Sequence, residues 1–97
     1  MEKSSYVYIM ASRCNGTLYI GVTANLIKRV WQHREGICEG FTKQYKVNKL
    51  VWYEVHADIY SAITREKNLK VWRRPWKLDL ISTFNPEWRD LYDDLLG

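Results

Sequence analysis

Apolar and polar positions alternate with period two over residues 5–12 and 17–23, "SYVYIMAS" and "TLYIGVT", the pattern of half-buried strands. Between them stands Asn15-Gly16, a pair suited to the positive φ angles of a tight hairpin. A two-residue turn there pairs Cys14 with Thr17. It puts Tyr6, Tyr8, Met10, Tyr19 and Gly21 on one face, and Val7, Ile9, Ala11, Leu18, Ile20 and Val22 on the other. The second face is wholly aliphatic and must be core. The first is aromatic with a glycine gap, which is where something can dock.

The period then becomes helical over residues 23–36, "TANLIKRVWQHREG", with Thr23 or Asn25 as cap and Gly36 as stop. Leu26, Ile27, Val30 and Trp31 form the expected buried stripe, Lys28 and Gln32 point away, and Arg29 and His33 are i, i+4 neighbours on its shoulder. Residues 41–48, "FTKQYKVN", read as a loop, and residues 49–56, "KLVWYEVH", as a third strand. Asp58 caps a helix running to about Arg73. Pro75 stops it and starts another over residues 76–84, and "NPEWRDLYDDLL" closes as a short acidic helical turn. The order ββαβαα predicts an α/β protein of the α+β kind, a small three-stranded antiparallel sheet flanked by helices. With 97 residues the chain has room for one core, so residues 5–85 are expected to form the domain and residues 86–97 an acidic tail packed on it.

Charge sharpens this picture. The net charge of +4 hides an uneven distribution, because Glu87, Asp90, Asp93 and Asp94 crowd the tail against Arg89 alone. The basic body that precedes the tail suits a polyanionic partner. No apolar run is long enough for a membrane span, "MEKSSY" does not read as a signal peptide, and Cys14 and Cys38 lack metal or redox spacing. The expectation is a cytoplasmic protein with two reduced thiols, no membrane and no small-molecule cofactor.

One residue breaks the pattern. Glu66 falls in the middle of the stripe formed by Ile59, Ala62, Ile63 and Leu69, and a lone buried carboxylate costs several kcal/mol unless paired or bound to a metal. Either it pairs with Lys70 or with a basic residue of the first helix such as Arg29, or it lines a polar pocket. Magnesium suits the second case, because it keeps several waters and commonly takes one or two carboxylates plus substrate phosphate oxygens.

Together, Tyr6-Val7-Tyr8, Tyr19-Ile20-Gly21, Arg29 with His33, and Glu66 within "TREKNLKVWRR" resemble the GIY-YIG nuclease domain, and most closely its small stand-alone bacterial members. The first glycine of the motif is replaced by Tyr6, and Val22 stands where some nucleases carry a polar or basic residue. The resemblance implies a metal-dependent endonuclease hydrolysing DNA phosphodiester bonds. In it, Tyr19, or less readily Tyr8, takes a proton from water, and His33 accepts the phenol's proton. Arg29 binds the scissile phosphate, and Glu66 holds one Mg²⁺ (or Mn²⁺) ion in a site completed by substrate. Asn85 is a further candidate, matching a late asparagine of the family. Sheet pairing and helical phase are expected to bring these groups towards one concave face.

Residues 65–77, "REKNLKVWRRPWK", add Arg65, Lys67, Lys70, Arg73, Arg74 and Lys77 as candidate nucleic-acid contacts, with Trp72 and Trp76 between them as core residues or stacking surfaces. Branched or nicked DNA is the expected substrate class. Two other readings stay open: a nucleic-acid-binding module that keeps the fold with little or no cutting, and a structural protein in which Glu66 and Arg29 are a buried pair.

Overall fold

The computed structural model describes residues 4–37 and 40–97; Cys38 and the first three residues lie outside them. Strands β1 (Ser5–Ala11), β2 (Leu18–Thr23) and β3 (Lys49–His56) form one antiparallel sheet in the order β2-β1-β3. Helices α1 (Leu26–Arg34), α2 (Phe41–Gln44), α3 (Ile59–Val71), α4 (Arg74–Phe84) and α5 (Tyr92–Leu95) complete the chain. The α+β architecture expected from the pattern is therefore present. No described helix is long and apolar enough to cross a membrane.

The hairpin register differs from the expected one. Tyr8 pairs with Gly21 and Met10 with Tyr19, and the connection is a turn over residues 13–16 in which the Gly16 amide donates to the Arg13 carbonyl at 2.9 Å. Asn15 alone takes the left-handed conformation, at φ 57°. Gly16 is required for space instead, since a Cβ there would lie 2.4 Å from Ser12 Oγ. The shift is by an even number of residues, so every side chain keeps its face.

Each face then builds its own core. Val7, Ile9, Ala11 and Ile20 pack with Val51, Trp52, Ala62, Leu69, Ile81 and Trp88 under α3 and α4. Tyr8 and Met10 pack with Leu26, Val30, Val47, Leu50 and Leu91 under α1 and the tail. A bulge in the β1–β3 pairing, between Ile9 and Met10, lets Val51 and Trp52 both serve the first core while Leu50 serves the second.

Two local expectations are corrected. The stretch over residues 41–48 contains the short helix α2, whose four residues are too few for a periodic signal. In α1 the stripe is rotated: Leu26, Val30 and His33 are buried, while Ile27 and Trp31 are 42% and 44% exposed. His33 can occupy the core because its ring nitrogens find partners there, as described below. Asn25 is the cap, its side chain accepting from the Lys28 amide at 3.1 Å.

The tail is bound into both cores through Trp88 and Leu91. The Leu91 amide donates to the Leu50 carbonyl at 2.8 Å, Asp90 accepts from the Leu50 amide and pairs with Arg34, and the Arg34 guanidinium lies 4.7 Å from the centre of the Tyr92 ring.

Candidate functional site

On the α1 face the hairpin, α1 and α2 bring four polar side chains together. The Tyr8 hydroxyl lies 3.0 Å from His33 Nε2, and His33 Nδ1 lies 3.0 Å from Thr42 Oγ1. All three residues are buried, so the bonds are shielded from water and each ring nitrogen of His33 is used. The Tyr19 ring packs on this pair, 5.3 Å from the imidazole and 6.2 Å from the Tyr8 ring, centre to centre. Its hydroxyl has no hydrogen-bond partner among the described residues, and the residue is partly open to solvent.

Gly21 makes this packing feasible. A Cβ at that position would stand 2.5 Å from the Tyr8 hydroxyl oxygen and 2.6 Å from the ring carbon bearing it. The last letter of the "YIG" stretch is thus a steric demand of the buried tyrosine opposite, with no special φ involved.

Arg29 sits one turn before His33 on α1, exposed, with no ion pair among the described residues. Burial is the chief force holding the His33 pKa below the ordinary imidazole value, and the nearby Arg29 cation adds to it. The imidazole is therefore kept neutral near pH 7.

Glu66 lies across the sheet. The first core places α3 on the face opposite α1, and Lys70, the partner of Glu66, lines the cleft that Tyr19 also lines. Between Ala62 and Leu69, both fully buried, the Glu66 side chain is 18% exposed and pairs with Lys70 at 3.2 Å. Its partner is thus Lys70 and not Arg29. The two sides meet at the outer edge of β2, where a cleft of about 350 Å³ is lined by Tyr19 and Phe41 from one side and Lys70 and Lys77 from the other. No group of three or more His, Cys, Asp or Glu among the described residues could cage a metal, which leaves Glu66 as a single carboxylate. That fits an ion completed by substrate oxygens and water.

The remaining candidates divide. Lys67 has no ion pair among the described residues, and Lys77 donates to the Lys70 carbonyl at 3.3 Å. Arg73 lies over the Trp76 ring at 5.7 Å. Arg65 is engaged elsewhere, donating to Glu54 at 3.1 Å and lying over Trp72 at 5.4 Å. Arg74 ties α4 to the hairpin tip, donating to the carbonyls of Asn15 and Gly16 at 2.7 Å each. Trp72 packs against the first core and Trp76 stays exposed.

Asn85 is buried with its amide fully used. Nδ2 donates to the carbonyls of Val51 and Arg89, and Oδ1 accepts from the Arg89 amide. In this arrangement it anchors the tail to β3. Thr42 was missed by sequence reasoning, because nothing in "FTKQYKVN" marks one hydroxyl as the partner of a histidine nine residues earlier.

Residues 4–79 match the model of the GIY-YIG catalytic domain. The chain belongs to the GIY-YIG family. Its relatives include the UPF0213 protein SSP2268 of Staphylococcus saprophyticus, 34% identical over 77 residues, covering 79% of this chain and 93% of that one. The UPF0213 protein CPE1444 of Clostridium perfringens is 37% identical over 79 residues, covering 81% and 84%. A UPF0213 protein of Syntrophus aciditrophicus is 38% identical over 85 residues, covering 86% and 94%. No solved structure matches the chain. The GIY-YIG domain is of nuclease type, and this membership makes nucleic acid the general class of substrate.

Proposed function

We propose that this GIY-YIG protein is a metal-dependent endonuclease that hydrolyses DNA phosphodiester bonds with Tyr19 as general base. The observation that carries this is the division of labour between the two tyrosines. Tyr8 is buried and bonded to His33, whereas Tyr19 stacks on that pair, is partly open to solvent, and has no hydroxyl partner among the described residues. A base must reach the water it activates, and of the two tyrosines the partly exposed Tyr19 suits that task.

A phenol with a pKa near ~10 is a weak base at neutral pH unless its anion is favoured. Arg29 supplies a fixed positive charge on the same face, and its planar fork suits two oxygens of a phosphate. Neutral His33, oriented by Thr42 and Tyr8, is the acceptor for the phenol's own proton, and the Tyr19 phenolate so formed takes a proton from the attacking water. The proton leaves the water as its oxygen forms the new bond to phosphorus, and the 3′ oxygen departs as the P–O bond breaks. Glu66 is the residue that would hold a divalent cation; when bound, such an ion supplies charge neutralisation at the leaving oxygen. Lys67, Lys70, Arg73 and Lys77 line the approach of the strand.

The test is nicking of supercoiled plasmid with Mg²⁺ or Mn²⁺ by the wild type, Tyr19→Phe, Arg29→Ala and Glu66→Ala. Loss of nicking in each variant, with the fold intact, supports the proposal; activity that survives Arg29→Ala and Glu66→Ala alike rejects it. The Glu66–Lys70 pair favours one rival, a module that binds DNA without cutting, since a paired carboxylate does not need a metal. DNA binding in EDTA with no nicking under either metal would select that rival.

A further inference from the structure

Beside Tyr19 the surface carries two large rings that the cores do not use. Phe41 and Tyr45, one turn apart at α2, are 45% and 49% exposed, with centroids 4.8 Å apart. Phe41 is in turn 6.3 Å from Tyr19, so three rings run in a row outward from the edge strand. The same Phe41 and Tyr19 line the cleft at the β2 edge, whose floor includes Leu18 and Ile20 and whose far wall carries Lys70 and Lys77. Aromatic faces beside ammonium groups suit a ligand that is flat and apolar at one end and anionic at the other. A nucleotide has that form. A base inside an intact duplex has both faces covered by its neighbours, so only an unpaired or splayed base can lie on these rings. The buried Thr42–His33 contact ties α2 to α1, which gives the rings a firm mount.

We infer that Phe41 and Tyr45 form a stacking subsite for an unpaired nucleotide next to the phosphate under attack, making DNA with a splayed or single-stranded segment the preferred substrate over intact duplex. The position of that phosphate rests on the nuclease reading; the stacking itself does not.

Binding is measured by fluorescence anisotropy in EDTA, using a labelled flap duplex and the matching intact duplex. The wild type is expected to bind the flap about tenfold more tightly than the duplex. Phe41→Leu/Tyr45→Leu loses about tenfold on the flap and little on the duplex, while Phe41→Trp, which keeps a π-face, retains flap binding. Far-UV circular dichroism checks the fold, and the single Tyr45→Leu variant carries the same comparison should the double variant fold poorly. Equal wild-type affinity for both DNAs, or leucine variants that keep the flap preference, would overturn the inference. Nicking without flap preference overturns this subsite and leaves the nuclease proposal standing. Flap preference without nicking supports the subsite while the nuclease proposal falls.

Discussion

On the face covered by α1, His33 is buried with both ring nitrogens bonded, one to Tyr8 and one to Thr42, each from a different element. On the face covered by α3, Glu66 keeps contact with water and pairs with Lys70 of its own helix. The first site is held by long-range packing, since moving β1 or α2 would strand a buried polar atom of His33. The second is held by helical spacing alone. The α1 side is thus a preorganised polar cluster, and the α3 side a single charge paired within its own helix.

The largest expected effect tests the first side. Arg29→Ala should lower the nicking rate by about 10²–10³-fold, the usual cost of removing a group that stabilises developing charge. Its thermal stability should change by no more than about 0.5 kcal/mol, because Arg29 is exposed and unpaired among the described residues. A rate that stays near wild type would remove the phosphate from the α1 face.

Next comes Gly21→Ala. The added methyl must displace Tyr8, which is packed on all sides and cannot yield as a flexible surface chain would. Overpacking of this kind costs about 1–3 kcal/mol. Denaturant unfolding measures it, and a neutral result would show that Tyr8 does not lie over Gly21.

Thr42→Val removes one hydroxyl and little volume. It leaves His33 Nδ1 buried without a partner, at a cost of about 1–3 kcal/mol, and Thr42→Ser should recover most of that. The equivalent charge-removing change on the other face, Glu66→Gln, should be far milder for stability. Were the two equal, the contrast between the faces would fail.

These contrasts also mark what the sequence could disclose. The strand faces were readable because alternation survives any even register shift, and the hairpin slipped by an even step. Glu66 was readable because Ala62 and Leu69 bracket it on a helix long enough to show its period. The burial of His33 was not, because a histidine is core or rim according to partners that lie far along the chain. One partner, Tyr8, stands 25 residues away, and the other sits in a helix of four residues. The same blind spot hid the exposure of Ile27 and Trp31, since both follow from the rotation that buries His33. The opposition of α1 and α3 across the sheet was hidden too, because helical phase fixes which side of a helix is buried and not which face of the sheet it covers.

The pH dependence separates the faces further. His33 has its pKa lowered in the fold, so below the ordinary value of about 6.5 the unfolded chain binds a proton that the native chain resists. Stability should therefore be full above that pH and fall as acid is added below it. Thermal melts between pH 7.5 and about 5 check the sign, and the slope should shrink in His33→Gln. Stability that rises on acidification through this range would contradict a neutral buried imidazole.

The smallest effect bears on the second face. An i, i+4 pair with one partner half exposed contributes at most about 0.5 kcal/mol, so Lys70→Ala should barely move the melting temperature. Its value lies in the metal titration. If Glu66 is a cation donor, freeing it from Lys70 should lower the Mg²⁺ concentration for half-maximal nicking by about two- to threefold at saturating DNA, since the ion no longer competes with an ammonium group. Lys70 also lines the cleft at β2, so on the proposed reading its removal should weaken DNA binding as well; working at saturating DNA separates the two effects. An unchanged Mg²⁺ midpoint would mean that Glu66 serves only as a helix-stabilising partner, and the α3 face would then contribute charge and surface to the site but no ligand.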